Sequence, residues 1–290
     1  MAIKNLRIIG EMINDSISKV SKLFEEEDLP GIIEMAKAQE RMGATYIDVN
    51  IGQREPGLMG RLVKDLQDHV TVPLSIDSPD PEIIRAGLEA YDPRRAQGKH
   101  PLVNSIAETR SEMFDLSAVQ PFKVILIGSE RKEGGRAEKN RTGEDVLNTA
   151  KRLAEMARKA PSRMSNNDLI IDPGIAPIGA DTEGVTKMVL DGIRLISQDP
   201  DLKGVHFSVG LSNFSAMLPA KKSDGTPIKV ALENAFLTLA VPLGLDHIIG
   251  NVTKEYRLLD ANNPAYQALV EAIELGGLEA IMRIRQFYSA

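Results

Sequence analysis

KVILIG at Lys123–Gly128, followed beyond a charged connection by TGEDVLNTAKRLAEMARKA at Thr142–Ala160, reads as one strand feeding one helix. The first run is continuous, apolar and β-branched, which suits a strand covered on both faces. The second opens on Thr142 with Glu144 and Asp145 in its first turn and closes on Arg158 and Lys159, so its charges match the helix dipole at both ends. Working outward, the same unit recurs. Together with Lys123–Gly128, the strand candidates Leu6–Ile9, Thr45–Val49, Pro73–Asp77, Leu102–Ser105, Leu169–Asp172, Val205–Gly210 and Leu245–Gly250 start 21 to 46 residues apart. Each gap leaves room for a crossover helix, so the strands are expected to run parallel. Pro30–Met42 with Gly43 at its end, Val185–Ser197, Ile228–Val241 and Pro264–Leu275 carry helical apolar spacing. Eight β/α repeats without a linker predict α/β architecture: one (β/α)8 TIM barrel over residues 1–290, with a doubly wound open sheet as the competing arrangement.

Composition narrows the chemistry. The 290 residues are 42% hydrophobic, enough for a large core, and carry a net charge of −6, which argues against a broadly basic nucleic-acid-binding surface. With no cysteine there is no disulfide, thiolate nucleophile, iron–sulfur cluster or thiolate zinc site. The apolar run before Glu11 is too short for a signal peptide, and no run reaches the roughly 18–20 residues of a spanning helix. A cytoplasmic protein without membrane contact is expected.

Polar residues stand where the apolar runs end. Strand one runs into Glu11 and Asn14, strand two into Asp48 and Asn50, strand three into Asp77–Ser78 and strand four into Asn104–Ser105. Asp172 ends strand six, Gly210–Leu211–Ser212–Asn213 ends strand seven, and strand eight runs toward Asn251. In a barrel these ends converge on one mouth, where active sites lie. Such residues also begin βα loops and cap helices, which accounts for Ser78 and serves for Asp48. It accounts less well for Asp77, Asn104, Asp172 and Asn213, which sit too early to cap the next helix. No histidine stands at a strand end. Carboxylates alone would suit Mg²⁺ or Ca²⁺, whereas carboxylates mixed with carboxamides suit the N–H-rich edge of a flat heterocycle such as an aminopyrimidinone.

The ordered series GEMIN (Gly10–Asn14), DVN (Asp48–Asn50), SIDS (Ser75–Ser78), VNSIAE (Val103–Glu108), IDP (Ile171–Pro173) and GLSN (Gly210–Asn213) resembles the pterin-binding barrel family. That family includes dihydropteroate synthase, the folate domain of cobalamin-dependent methionine synthase, and methyltetrahydrofolate:corrinoid protein methyltransferases. The likeness is strongest to the last group and spans Leu6 to about Tyr288. The resemblance implies that Asp77, Asn104 and Asp172 hold the pterin edge and that Asn213 hydrogen-bonds near N5. Asp77 and Asp172 would support catalysis with Asn213, and Gly210 and Ser212 would shape the pocket floor. Asp48 and Asn50 would lie near the pterin or its supporting residues, and Glu11 and Asn14 on a signature strand. It further implies tetrahydrofolate or its methyl derivative as substrate, a corrinoid supplied by a partner protein, no bound metal, and a homodimer. The activity implied is methyl transfer between N5 and cobalt in either direction, as in O-demethylation or acetyl-CoA-linked one-carbon metabolism.

Two other activities stay open: dihydropteroate synthase, and a folate-binding subunit without catalysis. Against the first, the N-x-T-P-D-S-F signature is replaced by GEMINDS, and the basic pattern that holds diphosphate is not reproduced after Asn213. A D-x-H-x-x-G cobalamin signature is lacking, because His247 stands one place too early in Asp246–Gly250. The loop Ser129–Arg141 is expected as a lid, a contact for the glutamate tail or the corrinoid partner, or a solvated loop. The C-terminal LEAIMRIRQFYSA is expected to close the barrel bottom or to form a dimer surface.

Overall fold

The computed structural model of the protein describes residues 3–289. Its barrel strands are β1 (Arg7–Asn14), β2 (Tyr46–Asn50), β3 (Leu74–Asp77), β4 (Leu102–Ile106), β5 (Lys123–Ile127), β8 (Leu169–Asp172), β9 (His206–Phe207) and β10 (His247–Gly250). They pair in parallel in the order β10-β1-β2-β3-β4-β5-β8-β9. The last seam closes where Gly210 bridges Ile249 and the Ile249 N–H donates to the Val209 carbonyl at 2.9 Å. Closure decides between the two expected arrangements: the sheet is a barrel and not an open doubly wound sheet.

Outside the sheet lie α1 (Ser18–Glu25), α2 (Leu29–Arg41), α3 (Pro56–Gln67), α4 (Pro81–Ala90), α5 (Gly143–Lys159), α6 (Val185–Gln198), α7 (Leu211–Phe214), α8 (Lys229–Ala240), α9 (Pro264–Leu275) and α10 (Gly277–Ser289). Behind β4 a 3₁₀ winding, Glu108–Ala118, takes the helical position. Helix α5 begins as its sequence indicates: Thr142 Oγ1 accepts from the Asp145 N–H while Asp145 accepts from the Thr142 N–H, a reciprocal cap contributing about 1 kcal/mol. Outward-facing strand residues such as Ile47, Ile76, Val103, Leu126 and Ile171 are fully buried against these helices. Each contributes roughly 1.5–3 kcal/mol of burial. Gly10 is required by the packing of α2. A Cβ there would meet Gln39 Oε1 at 2.5 Å, the oxygen that accepts the Met12 N–H.

The period of two along a strand divides the barrel interior into layers. Ile9, Tyr46, Leu102, Ile125 and Ile170 form one small apolar cluster, with Ile127 and Ile249 packed on it. Two residues further along the same strands come Asp48, Asn104 and Asp172. The lumen is therefore an apolar floor beneath a polar mouth.

Three expectations change. The first strand does not stop at Ile9: it continues through a register shift between Gly10 and Ile13, so Glu11 and Asn14 belong to the strand itself. Ser129–Arg141 is not an irregular loop but contains a β-hairpin, β6 (Glu130–Glu133) with β7 (Arg136–Lys139). Its cross-strand partners Glu130–Lys139, Arg131–Glu138 and Glu133–Arg136 have opposite charges, which favours the pairing. The C-terminal helix α10 does not close the barrel bottom. It packs on α9 and on the turn Ile178–Ala180 after β8, on the outer wall toward the mouth.

Candidate active site

Strand register, more than sequence proximity, assembles the mouth. Asn14 pairs with Asn50, Asn50 with Asp77 and Asp77 with Asn104, so four polar residues stand side by side across β1 to β4. Asn50 Nδ2 donates to Asp77 Oδ2 at 2.8 Å, and Asn50 Oδ1 accepts the Gly52 N–H at 2.8 Å, which fixes the orientation of the amide. One layer lower, Asp48 is buried and accepts from Ser75 Oγ at 2.5 Å and from Asn104 Nδ2 at 3.3 Å.

Burial pushes Asp48 well above the usual carboxylate range, and the neighbouring charge of Asp77 adds to the rise. Asp77 is raised too, by burial, with Asn50 and Asp48 pulling the other way. The two carboxyls titrate as one pair, with Asp48 the more strongly raised. Arg110 faces Asp77 as a favourable charge while its Nε and Nη2 donate to Ser105 O and Oγ, each at 3.0 Å. Across the lumen Asp172 is pushed up to about 7 by burial, with the Gly174 N–H, at 2.8 Å, opposing the rise.

Asn213 lies on the one-turn helix α7, exposed at the rim, and among the described residues nothing hydrogen-bonds its carboxamide. Gly210 leaves room for that amide, since a Cβ there would stand 2.9 Å from Asn213 Nδ2. Ser212 Oγ donates to Glu11 Oε1, and burial raises the Glu11 pKa. Gly210 and Ser212 thus form the wall between β9 and β1; the floor is the apolar layer below. A cavity of about 400 Å³ adjoins this mouth between the hairpin and the loop after β8, lined by Ser129, Glu130, Asn140, Gly174 and Asp181 among others. A groove of about 570 Å³ between α1, α2 and α3 lies outside the barrel and holds none of these carboxylates.

The structure adds a pair that the sequence did not single out, Lys254 and Glu233, and gives Glu108 and the two histidines their partners. Lys254 donates to Glu233, which is fully buried on α8, and Ser215 Oγ donates to the same carboxylate. Buried Glu108 accepts from Arg152 Nε at 2.6 Å and from the Lys132 N–H at 2.7 Å, so it clamps the hairpin's base. At the opposite end of the barrel His206 and His247 both engage Asp246, through Nδ1 at 2.6 and 2.8 Å. His206 Nε2 meets Asn167 Oδ1 at 3.0 Å and His247 Nε2 meets Arg7 Nη1 at 3.4 Å, so all four ring nitrogens are engaged in a structural clasp.

A polar mouth over an apolar floor, rich in buried carboxylates of raised pKa and in carboxamides, is complementary to a flat ring with N–H groups along one edge. The family model for pterin-binding enzymes matches residues 10–251, from Gly10 on β1 to Asn251 just past β10. The chain belongs to the pterin-binding enzyme family. Within the family it is similar to the methylcorrinoid:tetrahydrofolate methyltransferase of Eubacterium limosum, at 31% identity over 257 residues, 85% of either chain. Solved structures share its fold. The dihydropteroate synthase of Xanthomonas albilineans bound to 4-aminobenzoic acid superimposes with a TM-score of 0.59 at 16% identity, covering 97% of this chain and 95% of its own. The synthase of Thermus thermophilus gives 0.58 at 17% identity, covering 96% and 94%.

Proposed function

We propose that this pterin-binding enzyme moves a methyl group between N5 of tetrahydrofolate and the cobalt of a corrinoid carried by a separate protein. The observation that carries the proposal is the pairing of two features at one mouth. One is a set of buried carboxylates, Asp77 and Asp172 with Asp48 behind, beside Asn104. The other is Asn213, rim-facing, with a carboxamide that no hydrogen bond engages among the described residues. The similarity to the Eubacterium limosum enzyme supports the same reading. Substrate and cobalt are both brought to the site, and the chain itself supplies binding and proton handling.

In this account Asp77, Asn104 and Asp172 receive the ring N–H and amino groups of the pterin, with Asn50 orienting Asp77 and Asp48 sharing its proton. The ring settles on the apolar floor with N5 toward Asn213. In the demethylating direction cob(I)alamin attacks the methyl carbon in line. The carbon–cobalt bond forms as the carbon–N5 bond breaks, and the electron pair stays on nitrogen. A proton must reach N5 for the tertiary amine to leave as tetrahydrofolate. The carboxamide N–H of Asn213 stabilises the charge that develops on that nitrogen. Run backwards, methylcob(III)alamin returns its methyl group to N5 at the same site.

The fold is shared with dihydropteroate synthases, but after Asn213 the loop FSAMLPAKKSDGTP puts Lys221 in solvent and Lys222 over the Phe287 ring at 4.3 Å, where it serves packing. The protein partner is expected at the mouth beside the hairpin. Leu278 and Met282, 71% and 55% exposed on α10, support a second copy on the outer wall. Among the described residues no helix is long and apolar enough to cross a membrane, and chemistry with reduced cobalt favours the cytoplasm. The test is optical. Methyltetrahydrofolate added to cob(I)alamin with enzyme should convert its spectrum to that of methylcobalamin. Folate binding by calorimetry with a silent cobalt spectrum would leave a binding subunit, and diphosphate release from a pterin diphosphate and 4-aminobenzoate would reveal the synthase instead.

A further inference from the structure

Lys254 enters the mouth from the loop after β10 with its side chain 23% exposed, and donates to both oxygens of Glu233 at 2.7 and 3.0 Å. Glu233 has no exposed surface. A buried ion pair adds little stability that well-packed apolar residues could not supply, so its placement here points to another role. The same Glu233 oxygen accepts from Ser215 Oγ, and Ser212 Oγ donates to Glu11, toward which Lys254 also acts as a favourable charge. The short helix Leu211–Phe214 is therefore tied to β1 through Ser212, and to α8 just past its end through Ser215. Asn213 lies between the two tethers. Among the described residues no hydrogen bond orients its amide, and most of the following segment up to Pro227 is exposed. The direction of that amide is inherited from the backbone that the serines hold.

We propose that Lys254 and Glu233 are positioning residues that aim Asn213 at the reacting nitrogen by fixing Ser215, with Glu11 and Ser212 as the second tether. This rests on the reading that Asn213 serves N5 during methyl transfer. Removing the lysine leaves a buried carboxylate without its cation, and Glu233 reorganises away from Ser215. A donor displaced by about 1 Å loses roughly 100-fold in rate.

The test uses Lys254→Met, and Glu233→Leu/Lys254→Met as the charge-free apolar pair that keeps the fold but offers Ser215 no acceptor, each alone and together with Asn213→Ala. Measured are kcat for methylation of cob(I)alamin, methyltetrahydrofolate affinity by calorimetry, and the crystal structure of the Lys254→Met protein. The expected result is a kcat lowered about 10- to 100-fold with folate affinity changed less than about threefold. In the Asn213→Ala background the same substitutions should cost less than about threefold, because the residue they position is gone. The crystal structure should show the Ser215–Glu233 bond lost and the Asn213 amide turned. An unchanged kcat, or an equal loss in both backgrounds, overturns the proposal. If the unsubstituted enzyme does not methylate cobalt, the proposed function fails on its own, and the crystal structure alone then decides the tether: an Asn213 that has not moved refutes it.

Discussion

Replacing Asp172 by asparagine should flatten part of the pH dependence of folding. Asp172 faces the lumen at the end of β8, and burial lifts its pKa from 3.8 to about 7. A carboxyl raised in this way holds, in the folded state, a proton that the unfolded chain has already released. The stability it confers is complete below the unfolded value and is lost as pH rises toward the folded one. From pH 5 upward about two units of that loss remain, at about 1.4 kcal/mol each, so Asp172 alone removes about 3 kcal/mol between pH 5 and pH 8. The asparagine keeps the shape and the acceptor for the Gly174 N–H but cannot titrate. Urea unfolding of both proteins at the two pH values isolates the effect, since Asp48, Asp77 and Glu11 are common to both. The unsubstituted protein should lose about 3 kcal/mol more than the variant across the interval. Parallel profiles, agreeing within about 0.5 kcal/mol, would refute the argument that burial holds the proton on Asp172.

Asn213→Ala should lower kcat for cobalt methylation about 100-fold while calorimetric folate affinity moves less than about threefold, because the lost hydrogen bond matters chiefly as charge develops on N5. Asp246→Ala should destabilise the barrel by about 3 kcal/mol in urea, since two imidazoles and the Phe207 N–H lose a common acceptor. Burial lowers the His247 pKa, so the stability contributed by the neutral ring is complete above about 6.5 and is lost as pH falls from there through the lower folded value. Burial also pushes Asp246 up, but the bonds from His206 and His247 outweigh it and hold the carboxyl well below the usual range, deepening the acid loss. The unsubstituted protein should therefore show an acid limb in thermal melts; because Asp246 itself raises the His247 pKa, Asp246→Ala should deepen the part that begins near pH 6.5 and remove the part carried by the Asp246 carboxyl below about pH 4. Glu108→Ala should release the hairpin base and speed tryptic cleavage at Arg131 and Lys132 at least about tenfold, with the rest of the barrel resistant.

The barrel was legible because strand and helix alternate at regular intervals, and because βα loops gather polar residues at one end. Asp48, Asn104 and Asp172 could be read as lumen-facing since each lies two places beyond a buried apolar residue, Tyr46, Leu102 and Ile170. What stayed hidden depends on pairing between distant segments. Nothing local marks Lys254 and Glu233, 21 positions apart on a loop and a helix, as partners. The extension of β1 to Asn14 was masked by the polar Glu11, which reads as a strand end but turns to Ser212. Alternating charge in ERKEGGRAEK read as a solvated loop, although the same alternation places opposite charges across a hairpin around Gly134–Gly135, both with positive φ. The apolar spacing of α10 shows that it packs, but which surface it covers is set by the turn Ile178–Ala180, which no pattern within the helix encodes.

The most direct measurement follows the methyl carbon itself. In a single turnover, tetrahydrofolate carrying a ¹³C-labelled N5-methyl group is mixed with stoichiometric enzyme and cob(I)alamin, and the products are separated for mass spectrometry. The label should appear on cobalt as methylcobalamin, with unlabelled tetrahydrofolate released and the transfer strongly slowed in Asn213→Ala. Label retained on a folate that calorimetry shows to be bound would contradict it.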